Sequence, residues 1–213
     1  MITREDAIVN SFHAMYNNSL AHRIVGRAIW YMEYGFMKYG KSKGGYAATG
    51  FIDCSNFVSL VFRDFGYSLT TCSRNYNAVG TKVMGAEAML QPGRTTRWMI
   101  AGVENLNPGD IFTFWNINSS GVRYISHVAI YMGEIDGNPC VIHTVRRRRT
   151  AIGITDNFAF WYGQHFNDAR RVLPDSAQEP EGTYTDSGPV IPAMYQITPA
   201  YPIVLPEYPE VGI

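Results

Sequence analysis

The stretch DCSNFVSLVFRDF, residues 53–65, predicts a helix that begins at a cysteine. Asp53 is a residue type favoured as an N-cap, and apolar residues such as Phe57, Val61 and Phe65 then recur at helical spacing. Cys54 would lie in the first turn, where the positive end of the helix dipole favours a thiolate. The pattern predicts a nucleophile at Cys54, although a buried structural cysteine looks the same in sequence.

Three apolar segments downstream are predicted to be strands. They cover residues 111–115, 126–133 and 140–145. The first follows the turn signal LNPGD, residues 106–110. His127 lies at the start of the second strand, and His143 lies on the third. A thiolate nucleophile needs a base within hydrogen-bond reach and a group that orients this base. The chain supplies these residue types in the order Cys54, His127, His143.

These motifs resemble the NlpC family of papain-like bacterial cell-wall cysteine peptidases. The family has an Asp-Cys-Ser-Gly helix start, a Pro-Gly-Asp turn before a strand, a His-Val-Gly-Ile-Tyr-like strand and a histidine on the next strand. The resemblance spans roughly residues 20–173, including GTKV at 80–83 and ARRV at 169–172. It implies an α+β papain-like hydrolase with N-terminal helices packed on a small antiparallel sheet. Cys54 would be the nucleophile, His127 the general base and His143 the group that orients it.

The resemblance also implies a peptidoglycan stem peptide as the partner, commonly cut between D-glutamate and the diamino acid, with no cofactor. Asp53 and Ser55 would hold the substrate's amino end. Tyr39 and Tyr46 both precede the cysteine near the place where the family has a tyrosine beside the attacked carbonyl, and Tyr39 is favoured. Asn56 stands where the family usually has glycine, so we expect a narrowed or re-aimed cleft.

Other activities remain open on the same residues. One is a binding module that holds wall peptide or a partner without cleavage, and another is thiol amidase or acyltransferase chemistry. Cys54, His127 and His143 are also zinc-ligand types, but they lack the short-spaced pairs usual in such sites, and we expect no metal.

The two histidines share a face of their hairpin only under one condition. Side chains alternate along a strand, so the numbers of paired residues must sum to an even number if His127 and His143 are to share a face. A two- or four-residue loop after Ile135 gives an odd sum. We therefore predict a bulge or a three-residue loop between Ile135 and Cys140, which would set His143 opposite Tyr131.

The 213 residues carry no net charge, which indicates no nucleic-acid partner, but the charge is unevenly distributed. All 18 Lys and Arg lie at or before Arg171, and six acidic residues follow it. We predict a hydrolase domain over residues 1–173, whose first 40 residues form a helical region, and an acidic tail over residues 174–213. The tail holds eight of the 11 prolines and is expected to extend along the body or across a homodimer interface.

The N-terminal region is predicted to contain two capped helices. Thr3 would cap a helix from Arg4 to about Tyr16, and Ser19 a second helix that ends near Gly40. The charged opening residues are followed by no long apolar run, so we expect no signal peptide and no membrane span. A bacterial cytoplasmic role in muropeptide recycling, or export by other means, would both be compatible.

Overall fold

The computed structural model describes residues 3–34, 38–41, 50–146 and 150–180. It begins with two helices, α1 (Arg4–Met15) and α2 (Leu20–Tyr34). Thr3 caps α1 through a reciprocal pair of hydrogen bonds with Asp6, at 3.1 and 2.9 Å. The Ser19 hydroxyl accepts from the backbone N–H of His22 at 3.2 Å, in the first turn of α2. The two predicted caps are therefore confirmed, but the predicted end of the second helix near Gly40 is wrong: α2 ends at Tyr34, and Lys38–Tyr39 pair as a strand with Phe51–Ile52.

The cysteine-bearing helix is α3 (Cys54–Arg63). The Asp53 side chain caps it by accepting from the backbone N–H of Asn56 at 2.9 Å. Its apolar stripe is fully buried, as the spacing predicts, and contributes Phe57, Val58, Val61 and Phe62 to the core shared with α2. Burial of these four side chains fixes α3, and with it Cys54, against the rest of the molecule.

The remaining elements are mostly strands. The strands are β1 (Lys38–Tyr39), β2 (Phe51–Ile52), β3 (Thr81–Lys82), β4 (Glu87–Leu90), β5 (Trp98–Ala101), β6 (Ile111–Ile117), β7 (Arg123–Ile135), β8 (Asn138–Thr144), β9 (Ile152–Thr155) and β10 (Phe166–Arg171). The short helix α4 (Phe158–Tyr162) and 3₁₀-helices over Ser73–Ala78, Val103–Asn105, Gly163–His165 and Asp175–Gln178 lie between or after them. Six of the strands form an antiparallel sheet in the order β3-β10-β6-β7-β8-β9. The pair β1-β2 is parallel, and β4-β5 is antiparallel.

The central strand β7 separates two apolar layers. Val128 and Ile130 belong to the layer that contains α2 and α3, whereas Ala129 and Tyr131 belong to a second layer with Phe112 of β6. This alternation places the side chain of His127 on the second side. In the described residues, no helix is both long and apolar enough to cross a bilayer.

The turn between β7 and β8 differs from the predicted one. Ile135 pairs with Asn138, so the loop has only the two residues Asp136 and Gly137. Both have positive φ, at 51° and 72°, as in the turn type whose twist suits a tight hairpin. The prediction of a three-residue loop is wrong, because Asp and Gly tolerate this left-handed pair and close the shorter turn.

The required change of face comes from a bulge inside β7. Tyr131 pairs with Val141, and Met132 is the extra residue between this pair and the turn. The bulge restores an even sum, so His127 and His143 share a face. Its predicted position beyond Ile135 is wrong, and His143 does not lie opposite Tyr131.

An ion pair joins two landmarks of the sequence. Arg171 at the end of β10 donates to both carboxylate oxygens of Asp110, at 2.9 and 2.7 Å, and Asp110 is buried. Beyond β10 the described chain continues to residue 180. Ala177 is fully buried, and Gln178 Nε2 donates to the Pro108 carbonyl at 3.3 Å. The start of the predicted tail thus packs on the body, while residues 181–213 lie outside the described part.

Candidate active site

Cys54 lies at the N-terminus of α3 and is only 5% exposed. Its Sγ lies 3.9 Å from the carbonyl oxygen of Ser126, a residue that forms a bulge in β7 where β7 pairs with β6. The thiol donates a hydrogen bond to this carbonyl, and among the described residues no hydrogen bond joins the sulfur to the ring of His127. The sulfur therefore contacts the backbone of β7 immediately beside the predicted base.

The protonation of this site differs from the prediction of a thiolate. Burial raises the pKa of the Cys54 thiol to about 11, and the negative charge of Asp53 raises it further. The backbone N–H groups of Val128, Ser55 and Cys54 itself lower the thiol pKa, as the helix-terminus argument expects, but they do not compensate for the lost water. The expectation of a depressed thiol pKa is wrong here, because desolvation outweighs the helix terminus.

Burial also keeps His127 neutral. It lowers the pKa of the imidazole from 6.5 to about 4, while the charge of Asp53 acts in the opposite direction. Near pH 7 the thiol and the imidazole are therefore both uncharged in the free protein. A proton must pass between them during attack if Cys54 acts as a nucleophile.

The two histidines are joined directly. His127 Nε2 and His143 Nδ1 lie 2.8 Å apart, with the ring planes at 77°. His143 is 2% exposed, and its Nε2 lies 2.9 Å from the hydroxyl oxygen of Thr155 on β9. A chain of hydrogen bonds thus runs from β7 through β8 to β9. Thr155 was missed by sequence reasoning, since nothing local marks its register against β8.

Asp53 and Ser55 form a small network beside the thiol. Asp53 Oδ1 accepts from the Ser55 hydroxyl at 3.1 Å and from Asn56 Nδ2 at 2.9 Å, in addition to its capping bond. The Ser55 hydroxyl also lies 2.7 Å from the Thr71 carbonyl. Asn56, which we expected to narrow the cleft, turns its amide to Asp53 and is not part of the cleft wall.

A cleft of about 650 Å³ opens at this helix terminus. Cys54 lies in its wall with both sequence neighbours, and the other wall side chains are hydroxyl-bearing or cationic: Tyr39, Lys41, Ser73, Ser126 and Arg146. The Arg146 guanidinium lies 5.1 Å from the centre of the Tyr39 ring. The structure thus brings Tyr39, Asp53 and Ser55 together around Cys54, whereas neither histidine ring forms part of the wall. Tyr46, the other tyrosine considered, lies outside the described residues.

Among the described residues, no group of three His, Cys, Asp or Glu is arranged to hold a metal ion. The ring nitrogens His127 Nε2 and His143 Nδ1 bond to each other, so neither is directed at a common ion. Cys72 is exposed and Cys140 is buried in β8, and both are free thiols.

A cysteine at a helix N-terminus, set against a sheet that carries paired histidines, is the arrangement of a papain-like α+β protein. The model of the NlpC/P60 family matches residues 38–171, and the chain belongs to this family. The predicted family and fold class are therefore confirmed. The family consists generally of cell-wall peptidases.

Solved structures of similar fold come from bacteria and a protozoan. An NlpC/P60 family protein from Bacillus cereus is 22% identical, with 72% of this chain and 40% of that chain covered and a TM-score of 0.47. A lipoprotein-like NLP/P60 family protein from Staphylococcus aureus is 22% identical, with 73% and 42% covered and a TM-score of 0.43. NlpC1 from Trichomonas vaginalis is 18% identical, with 69% and 44% covered and a TM-score of 0.47. The chain thus spans less than half the length of these structures. No curated protein matches the sequence.

Proposed function

We propose that the protein is a cysteine peptidase that hydrolyses an amide bond in peptidoglycan stem peptides. The observation that carries this proposal is the direct link of His127 to His143, 2.8 Å between ring nitrogens, in which His127 directly follows Ser126, the residue whose carbonyl Cys54 Sγ contacts. Family membership supports the substrate class. A buried pair of linked imidazoles has a use in proton transfer that a purely structural core would not require.

The hydrogen bonds suggest how the proton moves. Only one tautomer leaves His127 Nδ1 free to accept a proton: His127 donates from Nε2 to His143 Nδ1, and His143 donates from Nε2 to Thr155 Oγ1. For attack, the thiol leaves the Ser126 carbonyl and passes its proton to His127 Nδ1 as sulfur bonds to the substrate carbonyl carbon. The imidazolium then protonates the leaving amine, and water hydrolyses the thioacyl enzyme. The backbone N–H of Cys54, at the N-terminus of the helix, would donate to the oxyanion.

Substrate orientation follows from the charged groups of the cleft. Asp53 would hold the amino end of the stem peptide, with Ser55 beside it and Tyr39 near the attacked carbonyl. Lys41 and Arg146 add positive charge to the cleft wall, which would attract the carboxylates of an acidic peptide. Cleavage between D-glutamate and the diamino acid is compatible with such a polar cleft.

A second candidate, a module that binds wall peptide without cleaving it, is favoured by two observations. The thiol hydrogen-bonds to Ser126 and not to His127, and its pKa is raised to about 11. The two candidates agree on the ligand but differ in turnover.

Mass spectrometry of defined muropeptides tests the proposal. We expect wild-type protein to release the product of one amide cleavage, and Cys54→Ala to release none while still binding the peptide. Cys72→Ala is the matched control, because this exposed thiol lies outside the cleft wall. Binding by both proteins without product from either would establish the binding module instead.

A further inference from the structure

A second groove, of about 290 Å³, contains two arginines that are each held over an aromatic ring. The Arg123 guanidinium lies 4.0 Å from the centre of the Trp115 ring, and the Arg74 guanidinium lies 4.9 Å from that of Tyr124. Such contacts fix the direction of a flexible side chain and leave its edge N–H groups available. The groove is therefore built with two positioned cations.

Neither guanidinium is neutralised by the protein. Within the described chain, Arg74 and Arg123 form no ion pair with a carboxylate, and the groove wall contains no acidic side chain. Two amide side chains, Asn77 and Asn167, complete its polar wall. Arginine guanidinium groups bind carboxylates through paired, charge-assisted hydrogen bonds. The ligand that suits this groove is therefore an anion.

The groove adjoins the cleft that contains Cys54. Ser73 and Ser126 line the cleft, and their chain neighbours Arg74 and Ile125 line the groove. The Ser73 hydroxyl donates to the Ile125 carbonyl at 3.1 Å, which ties the two segments together. The cleft and the groove therefore meet at these two segments.

We propose that this groove binds a carboxylate of the peptide on the carboxyl side of the cleaved bond; the substrate half of this inference rests on the proposed function. Asp53 follows β2 and adjoins the part of the cleft that contains Tyr39, whereas Ser73 and Ser126 lead to the groove. An amino group at Asp53 and a carboxylate between Arg74 and Arg123 would fix the direction of the peptide across Cys54. The carboxylates of the diamino acid and of the residue after it are the groups that reach this side.

Calorimetric titration of the full chain carrying Cys54→Ala measures this binding apart from catalysis. The probes are a stem tetrapeptide with free carboxylates and the same peptide with the carboxylates on the carboxyl side of the cleaved bond converted to amides. Arg74→Gln and Arg123→Gln should each raise Kd for the free peptide on the order of tenfold and leave Kd for the amidated peptide unchanged. Arg123→Lys should give a Kd for the free peptide between those of the wild-type and glutamine variants, because lysine keeps the charge but loses the paired N–H donors of the guanidinium. Arg94→Gln, an exposed arginine outside both walls, is the control and should change neither value.

Equal losses for both peptides, or no dependence on either arginine, would overturn the inference, as would failure of both peptides to bind. The hydrolysis assay on wild-type protein is read separately. If the wild-type protein cleaves the peptide but Kd does not change in the arginine variants, the groove does not bind the carboxylate and the proposed peptidase activity stands. Arginine-dependent binding without cleavage would keep the groove and reject the peptidase.

Discussion

His127 Nε2 lies 2.8 Å from His143 Nδ1, although a hairpin of regular pairing with this two-residue turn would place the two side chains on opposite faces. The bulge at Met132 makes the contact possible. The residue next to the bulge, Gly133, has φ of 111°, a conformation that side-chain-bearing residues rarely adopt. The position of one backbone irregularity thus decides whether the two imidazoles meet.

Gly133→Ala is expected to destabilise the protein by about 1 kcal/mol or more and to reduce hydrolysis, because strain at the bulge shifts the β7-β8 register. An added Cβ would lie 3.4 Å from Pro108 Cγ. Gly121→Ala is the matched control: its φ is 76°, but its Cβ would meet no neighbour within 4 Å. Thermal unfolding and muropeptide assays should show stability losses in both variants and an activity loss only at Gly133. Equal activity in the two variants would show that the conformation of the bulge does not affect hydrolysis.

Removing members of the hydrogen-bonded chain should have graded effects. His127→Ala should abolish hydrolysis. His143→Ala should leave measurable residual activity, because an orienting group assists the base but does not itself take the proton from the thiol. Thr155→Val should lower kcat several-fold with KM unchanged, while Thr155→Ser, which keeps the hydroxyl that contacts His143 Nε2, should restore it. A valine variant with wild-type kcat would exclude Thr155 from the relay.

The pH dependence follows from the lowered pKa of His127, about 4 in the folded protein against 6.5 in an unfolded chain. Above pH 6.5 the residue is neutral in both states and its contribution is constant. As the pH falls from 6.5 towards 4, the unfolded state binds more protons, so the free energy of unfolding decreases by at most about 3 kcal/mol. Urea unfolding at pH 4.5 and 7 should show this loss, and it should be smaller in His127→Gln.

The same pKa value predicts the acid side of the activity profile. A general base must be neutral, so kcat/KM for a muropeptide should persist at pH 5 and decline only towards pH 4. A decline centred near pH 6.5 would show that the base is exposed to water.

Thiol alkylation should distinguish the resting protonation states. With a thiol pKa of about 11, Cys54 should react with iodoacetamide at pH 7 more slowly than the exposed Cys72, and its rate should rise with pH beyond 9. Peptide mapping after timed alkylation reads both residues in one sample. Faster modification of Cys54 than of Cys72 at pH 6 would instead indicate a thiolate paired with a protonated His127.

Asn56 is expected to compete with the substrate for Asp53. Asn56 Nδ2 donates to Asp53 Oδ1 at 2.9 Å, so Asn56→Gly and Asn56→Ala should both remove one of the donors to this oxygen and lower KM for peptides with a free amino end. Peptides with an acetylated amino end should show no change. Comparing the glycine and alanine variants separates this effect from the helix cost of glycine, about 1 kcal/mol. A KM that is unchanged in both variants would show that Asp53 does not bind the amino end of the peptide.

The sequence by itself determined the helix at Cys54, its Asp53 cap and the order of the two histidine strands. These features depend on the spacing of apolar residues and on capping chemistry, which act over a few neighbouring residues. Alternation along strands also showed that an irregularity was required if His127 and His143 were to meet.

Only the tertiary structure decided three features. These are the position of the bulge in β7, the hydroxyl that bonds to His143 and the protonation state of the Cys54 thiol. Met132 and Thr155 take their places through pairing between strands, which local periodicity does not encode. The charge state of Cys54 depends on how completely α3 and β7 exclude water from it, and this exclusion outweighs the helix terminus. The two arginines beside the cleft likewise belong to segments 49 residues apart, Arg74 and Arg123, and the fold alone brings them together.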